Sequence, residues 1–118
     1  MKLIIAGSRT LDPSPSFIWD TIKMLGISNI KEIVSGRAYG VDQAGEHWAS
    51  HYEVPVKPFP ADWDKHGKAA GFIRNAEMAK YADQLLLIWD GKSRGSANMK
   101  QQMLKLNKPV YEVILVAT

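Results

Sequence analysis

A doubly wound parallel α/β sheet of five strands, ordered 3-2-1-4-5 with helices on both faces, is the fold this sequence predicts. Three observations predict it. Two uninterrupted apolar runs, "LII" at 3–5 and "LLLIW" at 85–89, read as strands buried on both faces, the habit of central parallel strands. Weaker strand segments alternate with helical stripes along the rest of the chain, and right-handed crossovers then put helices on both sides. The 118 residues suffice for one domain that buries about two thirds of the surface its unfolded chain exposes, so a single domain over 1–118 is expected.

The elements follow in order. Residues 2–6 form the first strand. Phe17, Ile18, Ile22 and Leu25 make an apolar stripe that ends at Gly26, with Pro13 and Pro15 suited to the start of a helix. A strand over 30–34 leads into a helix on which Val41, Ala44, Gly45, Trp48 and Tyr52 share one face while Asp42, Glu46 and His47 occupy the other. Pro55 and Pro58 confine the strand at 54–57 to an edge, where a missing N–H is tolerated. "PFPADWDKHGK" at 58–68 has no periodicity, and a connection that long in so small a domain is usually functional. A helix over about 69–82, the strand at 85–89, a helix marked by Met99, Met103 and Leu106 with Ser96 as its cap, and a last strand over 110–116 complete the series.

The chain has no cysteine, which excludes disulfides, thiolate zinc sites and a cysteine nucleophile. Its formal charge of +3 is too modest to indicate a nucleic-acid surface unless the positive groups converge. No apolar run is long enough for a signal peptide or a membrane span, so a cytoplasmic protein is expected.

Ligands of such sheets bind beyond the carboxyl ends of the strands, near the point between strands 1 and 4 where the order reverses. Three loops should meet there: "GSRT" at 7–10, "SGRAYG" at 35–40 and "DGKSRGS" at 90–96. The four arginines, Arg9, Arg37, Arg74 and Arg94, all fall in or just after connections that follow the first four strands, whereas the lysines are scattered. A guanidinium is a planar fork suited to phosphate, and helix N-termini add free N–H groups. Glycines beside Arg37 let the backbone approach an anion, and Tyr39 offers a ring or a hydroxyl to whatever the anion carries. Trp63, in the long connection over the site, is a candidate to stack on the ligand, whereas Trp48 belongs to the apolar stripe. The ordinary alternative is that these are polar loop residues exposed to water.

Other chemistries fit less well. "HGKAAG" lacks the first glycine and the Ser or Thr of a phosphate-binding P-loop, and "GRAYG" lacks the dinucleotide fingerprint. His47 and His51 have the spacing of zinc ligands, but the glutamate precedes the first histidine instead of following it. Asp62, Asp64 and His66 read as solvated loop residues, so no metal and no cofactor are expected.

"IIAGSRTL", the 34–49 stretch with its "VSG" and "GVD", "FPADWDKHGKAAGFIRNAEM" and "IWDGKSRGSANM" resemble the YspA-like branch of the SLOG superfamily, in the right order over nearly the whole chain. That resemblance implies a Rossmann-like fold related to the Lonely Guy phosphoribohydrolases and to DprA. It also implies a nucleotide or nucleotide-derived ligand, often in the setting of phage–host conflict. The ligand residues it implies here are Gly7, Ser8 and Arg9; Ser35, Gly36, Gly40 and Asp42; Arg74, Asn75 and Glu77; and Asp90, Gly91, Gly95 and Ser96. The branch usually carries Gly-Gly-Ala-Arg-Gly where this chain has Gly36-Arg37-Ala38-Tyr39-Gly40, so an arginine has moved and a glycine is lost. The glutamate that follows the last glycine loop in phosphoribohydrolases is replaced by Ala97, Asn98 and Met99.

Three functions stay open at this point. The first is binding or sensing of a nucleotide. The second is an N-glycosidase acting on a nucleoside monophosphate, with Arg74 on the phosphate and Glu77, Asp42 or Asp90 beside the ribosyl cation. The third, single-stranded nucleic-acid binding, expects a basic track rather than one pocket. A homodimer is expected, since a small two-faced sheet leaves apolar helix surface exposed.

Overall fold

Strands β1 (Lys2–Gly7) and β4 (Gln84–Trp89) lie side by side at the centre of a parallel sheet in the computed structural model, which describes residues 1–116. Around them stand β2 (Glu32–Ser35), β3 (Val56–Pro58) and β5 (Val110–Ile114), and the order β3-β2-β1-β4-β5 is the predicted one. Leu3, Ile4, Ile5, Leu85, Leu86, Leu87 and Ile88 are all fully buried, because alternate side chains point into two separate cores. One core packs under α1 (Pro15–Met24) and α2 (Val41–His51), and the other under α4 (Ala70–Tyr81) and α5 (Arg94–Lys105). Among the described residues no helix is long and apolar enough to cross a membrane.

Local chemistry explains the helix ends. Ser14 caps α1 by accepting a hydrogen bond from the Phe17 N–H at 3.1 Å, Pro15 takes the first helical position, and Gly26 follows the last turn at φ +71°. The cap of α5 is Ser93 rather than the expected Ser96: its Oγ accepts from the Ser96 N–H at 3.3 Å, which makes Ser96 an inward residue of the first turn. The last strand stops at Ile114, two residues short of the expected end, although the Leu115 N–H still donates to the Trp89 carbonyl.

The long connection is not wholly irregular. It contains a four-residue helix, α3 (Trp63–His66), capped by Asp62, and a 3-10 turn at Gly67–Ala69, neither of which buries a side chain. So short a helix has no apolar repeat to betray it in the sequence.

Candidate functional site

Two adjoining cavities open beyond the carboxyl ends of β1, β2 and β4, at the reversal of strand order. The larger, about 280 Å³, is lined by Arg9, Gly36, Arg37, Ala38, Tyr39, Pro60, Ala61, Trp63 and Arg74. The smaller, about 160 Å³, has a floor of Ala6, Met78 and Met99 and walls that include Gly7, Asp42, Asn75, Ser93, Gly95 and Ser96. Arg9, Ala38 and Arg74 belong to both, so the two form one crevice.

The loop after β2 supplies Gly36, Arg37, Ala38 and Tyr39 to the larger cavity. Gly40 holds φ +77° and starts α2 against the Ser8 carbonyl, which accepts the Val41 N–H at 3.2 Å. Ser8 Oγ accepts the Asp90 N–H at 3.0 Å, so this one residue ties together the loops after β1 and β4 and the start of α2. It is buried and lines neither cavity. Arg37 stands at φ +62°, the left-handed region where the resembling family places glycine. Its Nη1 pairs with Glu46 Oε1 at 2.8 Å, and Glu46 Oε2 accepts from Ser35 Oγ at 2.5 Å. Glu46, expected on the solvent face, is therefore a clamp on this loop. Its spacing of four from Asp42 is the signal in the sequence, since i and i+4 share a helix face.

Asp42 is also turned inward: 5% exposed, it accepts the Ala38 N–H at 3.3 Å and lines the smaller cavity. Burial pushes its carboxyl up to about 6, against the pull of the Ala38 N–H and of Arg74. Asp42, on the polar face of its helix, is buried because residues 35–38 fold back over the first turn of α2.

Arg74 is half-buried. Its Nη1 donates to the Gly36 carbonyl and its Nε to Asn75 Oδ1 at 2.9 Å. Burial foremost, and then the like charge of Arg9, lower its guanidinium below the ordinary value, while Asp42 opposes them. Asn75, 4% exposed, spends its Nδ2 on the Gly95 carbonyl at 3.2 Å and on Asn98 Oδ1 at 3.1 Å, so it locks Arg74 to the first turn of α5. Ser96, 4% exposed, lines the smaller cavity at the N-terminal turn of α5, and its Oγ is buried with no hydrogen-bond partner.

Several predicted residues stand elsewhere. Glu77 is exposed and lines neither cavity. The buried positions of α4 are Ala70, Asn75, Met78 and Ala79, and Glu77, about 60° round the helix from Arg74 on its solvent side, does not reach the crevice that Arg74 lines. Arg94 is likewise exposed, two residues from Ser96 and so on the opposite side of α5, which leaves three arginines in the crevice rather than four. The Asp90 carboxylate accepts the Lys92 and Ser93 N–H groups at 2.8 and 3.0 Å, which hold it below the usual range, and neither it nor Gly91 lines a cavity. Ser35 and Gly40 lie behind the crevice as loop supports. Trp48 is core, and Trp89 is buried with its Nε1 on Glu112. Among the described residues no group of three or more His, Asp or Glu could hold a metal ion.

A doubly wound sheet with a guanidinium-lined crevice at its switch point defines a Rossmann-like fold. The family model described as the YspA, cpYpsA-related SLOG family matches residues 1–66, and the chain belongs to that family. Gene 61 protein of Mycobacterium phage D29 is 30% identical over 117 residues, covering 92% of this chain and 93% of that protein. The structure of DNA processing protein A (DprA) from Streptococcus pneumoniae superposes on 94% of this chain with a TM-score of 0.72 at 18% identity. That likeness concerns the fold, and this chain spans 49% of the DprA chain.

Proposed function

We propose that this protein binds a nucleotide or nucleotide-derived small molecule in the crevice, as a sensing or carrier domain. The observation that carries the reading is the pair Arg9 and Arg74: two guanidinium groups face one crevice, and the half-buried one is depressed partly by the other's like charge. Such an arrangement gains most from an anion that bridges both. The unpartnered Ser96 hydroxyl at the α5 N-terminus supports a phosphoryl group there, and the exposed rings of Tyr39 and Trp63 at the rim of the larger cavity support a stacked base. Membership of the SLOG family agrees with a nucleotide ligand, and the phage origin of a relative agrees with a setting of phage–host conflict. Isothermal titration with adenine and guanine nucleotides tests the reading. Arg74→Gln, with its fold checked by thermal unfolding, is expected to weaken binding about 100-fold, the loss of roughly 2.7 kcal/mol of charge-assisted contact. Binding unaffected by this change would sink the assignment.

A second reading, hydrolysis of an N-glycosidic bond, is favoured by one observation: of Asp42, Glu77 and Asp90, only Asp42 lines a cavity. Its carboxylate would stabilise the ribosyl cation as the C1′–N bond breaks and water adds. Release of free base from a nucleotide panel, lost in Asp42→Asn, is the test. Self-association as a homodimer is part of the proposal too. The exposed side chains of Leu104 on α5, Leu106 just past its end and Ile114 on β5 support it, and a monomer mass by light scattering would reject it.

A further inference from the structure

The charges facing the crevice constrain the charge of its ligand. Arg9 and Arg74 bring two positive charges. Arg37 is already paired with Glu46, and no lysine lines either cavity. Asp42 is buried in the wall of the smaller cavity. The charges of Arg74 from α4 and of Glu46 one turn along its own helix act on it, the N–H groups of Gly7 and Ala38 donate to it, and Arg9 from the loop after β1 lines the same cavity. The other polar residues that line that cavity, Asn75 on α4 and Ser93 and Ser96 at the start of α5, are uncharged. The crevice therefore carries a formal charge of one while Asp42 is ionised and two when it is protonated, and the α5 N-terminus adds about half a unit in either case.

Resting on the nucleotide reading above, we propose that the ligand is a monoanionic phosphodiester of a nucleoside, as in a cyclic nucleotide or a dinucleotide linkage. A dianionic phosphomonoester enters this crevice only together with a proton taken up by Asp42. The physical reason is the site's own desolvation: a second negative charge placed beside a buried carboxylate has no third cation to meet it, so the carboxylate must neutralise. The raised carboxyl of Asp42 shows that this neutralisation begins within reach of ordinary pH even before a ligand adds its charge.

The test uses the full chain and isothermal titration with 5′-AMP and 5′-GMP, the matching 3′,5′-cyclic nucleotides, and the dinucleoside monophosphates ApA and GpG. Each is titrated at about pH 7 and about pH 8.5, with the parent and with Asp42→Asn, where one proton taken up on binding means about thirtyfold weaker affinity across that interval. The parent is expected to lose that factor for the monoesters and less than about twofold for the diesters. Asp42→Asn should lose it for neither. The monoesters' own second ionisation is common to both proteins and cancels in their ratio. Preference for the cyclic compounds assigns the diester to a cyclic nucleotide, and preference for ApA or GpG assigns it to a linear linkage. Monoesters that bind the parent as tightly as diesters at the higher pH, or that show the same pH slope in Asp42→Asn, overturn the proposal while leaving nucleotide binding intact. If no nucleotide binds either protein, the nucleotide reading falls and this proposal with it.

Discussion

Asp42→Asn is expected to make the protein more stable above about pH 6 and to leave it nearly unchanged below about pH 4. The sign follows from the carboxyl being raised from 3.8 to about 6 by burial in the native state. Below 3.8 the group is protonated in both folded and unfolded chains and contributes no difference. As pH rises through this window the unfolded chain releases the proton and the native one keeps it, so native stability falls until Asp42 ionises near 6. At about 1.4 kcal/mol per pH unit the accumulated loss is about 3 kcal/mol, on the order of 10 °C in melting temperature for a domain of this size. Asparagine keeps the acceptor for the Ala38 N–H and removes the titration. Thermal unfolding of both proteins at a series of pH values is the measurement, and a stability difference that does not grow between about pH 4 and pH 6.5 would refute the assignment of this window to Asp42. A carboxylate that destabilises its own fold, in the wall of a cavity, supports the role toward a ligand proposed for Asp42.

The sheet was legible because its information is local. A strand buried on both faces reads as an unbroken apolar run, and the runs at 3–5 and 85–89 mark the central pair from which the strand order follows. Arg9, Arg37, Tyr39 and Trp63 were legible for a related reason: each lies in a connection that follows a strand, and the topology alone delivers it to the carboxyl edge. Arg94 and Glu77 misled because they sit on helices, where the phase of a turn decides between crevice and solvent and the sequence near a helix start fixes that phase poorly. The burial of Asp42 depends on residues 35–38 folding back over α2, a tertiary event with no periodic trace, and the clamp formed by Glu46 is marked in the sequence only by its spacing of four from Asp42. Asn75 was expected at the ligand. It lines the smaller cavity, and its bonds to Arg74, Gly95 and Asn98 also make it the strut between α4 and α5 that holds Arg74 in place.

Alanine at Gly7 and alanine at Gly36 are expected to fail in opposite ways, although the resemblance that singled them out treats both as ligand residues. A Cβ on Gly7 would fall 1.6 Å from the carbonyl oxygen of Ile88 and 2.7 Å from its carbon. Gly7 and Ile88 are partners in the central β1–β4 ladder, so neither backbone can yield without breaking the sheet. The expected loss is at least about 4 kcal/mol, a large part of the roughly 6 to 18 kcal/mol that a domain of this length can have, and Gly7→Ala should accumulate unfolded or melt far below the parent. At Gly36 the new Cβ would stand 2.6 Å from Arg74 Nη1 and 2.8 Å from Asp42 Oδ2, both the far ends of side chains that can rotate away. The fold should survive within about 1 to 2 kcal/mol. Arg74, however, would lose its bond to the Gly36 carbonyl and its aim into both cavities, and nucleotide affinity should drop at least about tenfold, or 1.4 kcal/mol. Circular-dichroism melts and isothermal titration of the two variants separate these outcomes. A folded, binding-competent Gly7→Ala would mean that β1 and β4 do not approach as closely as described, and a Gly36→Ala protein that binds like the parent would remove the Arg74 contact from the basis of recognition.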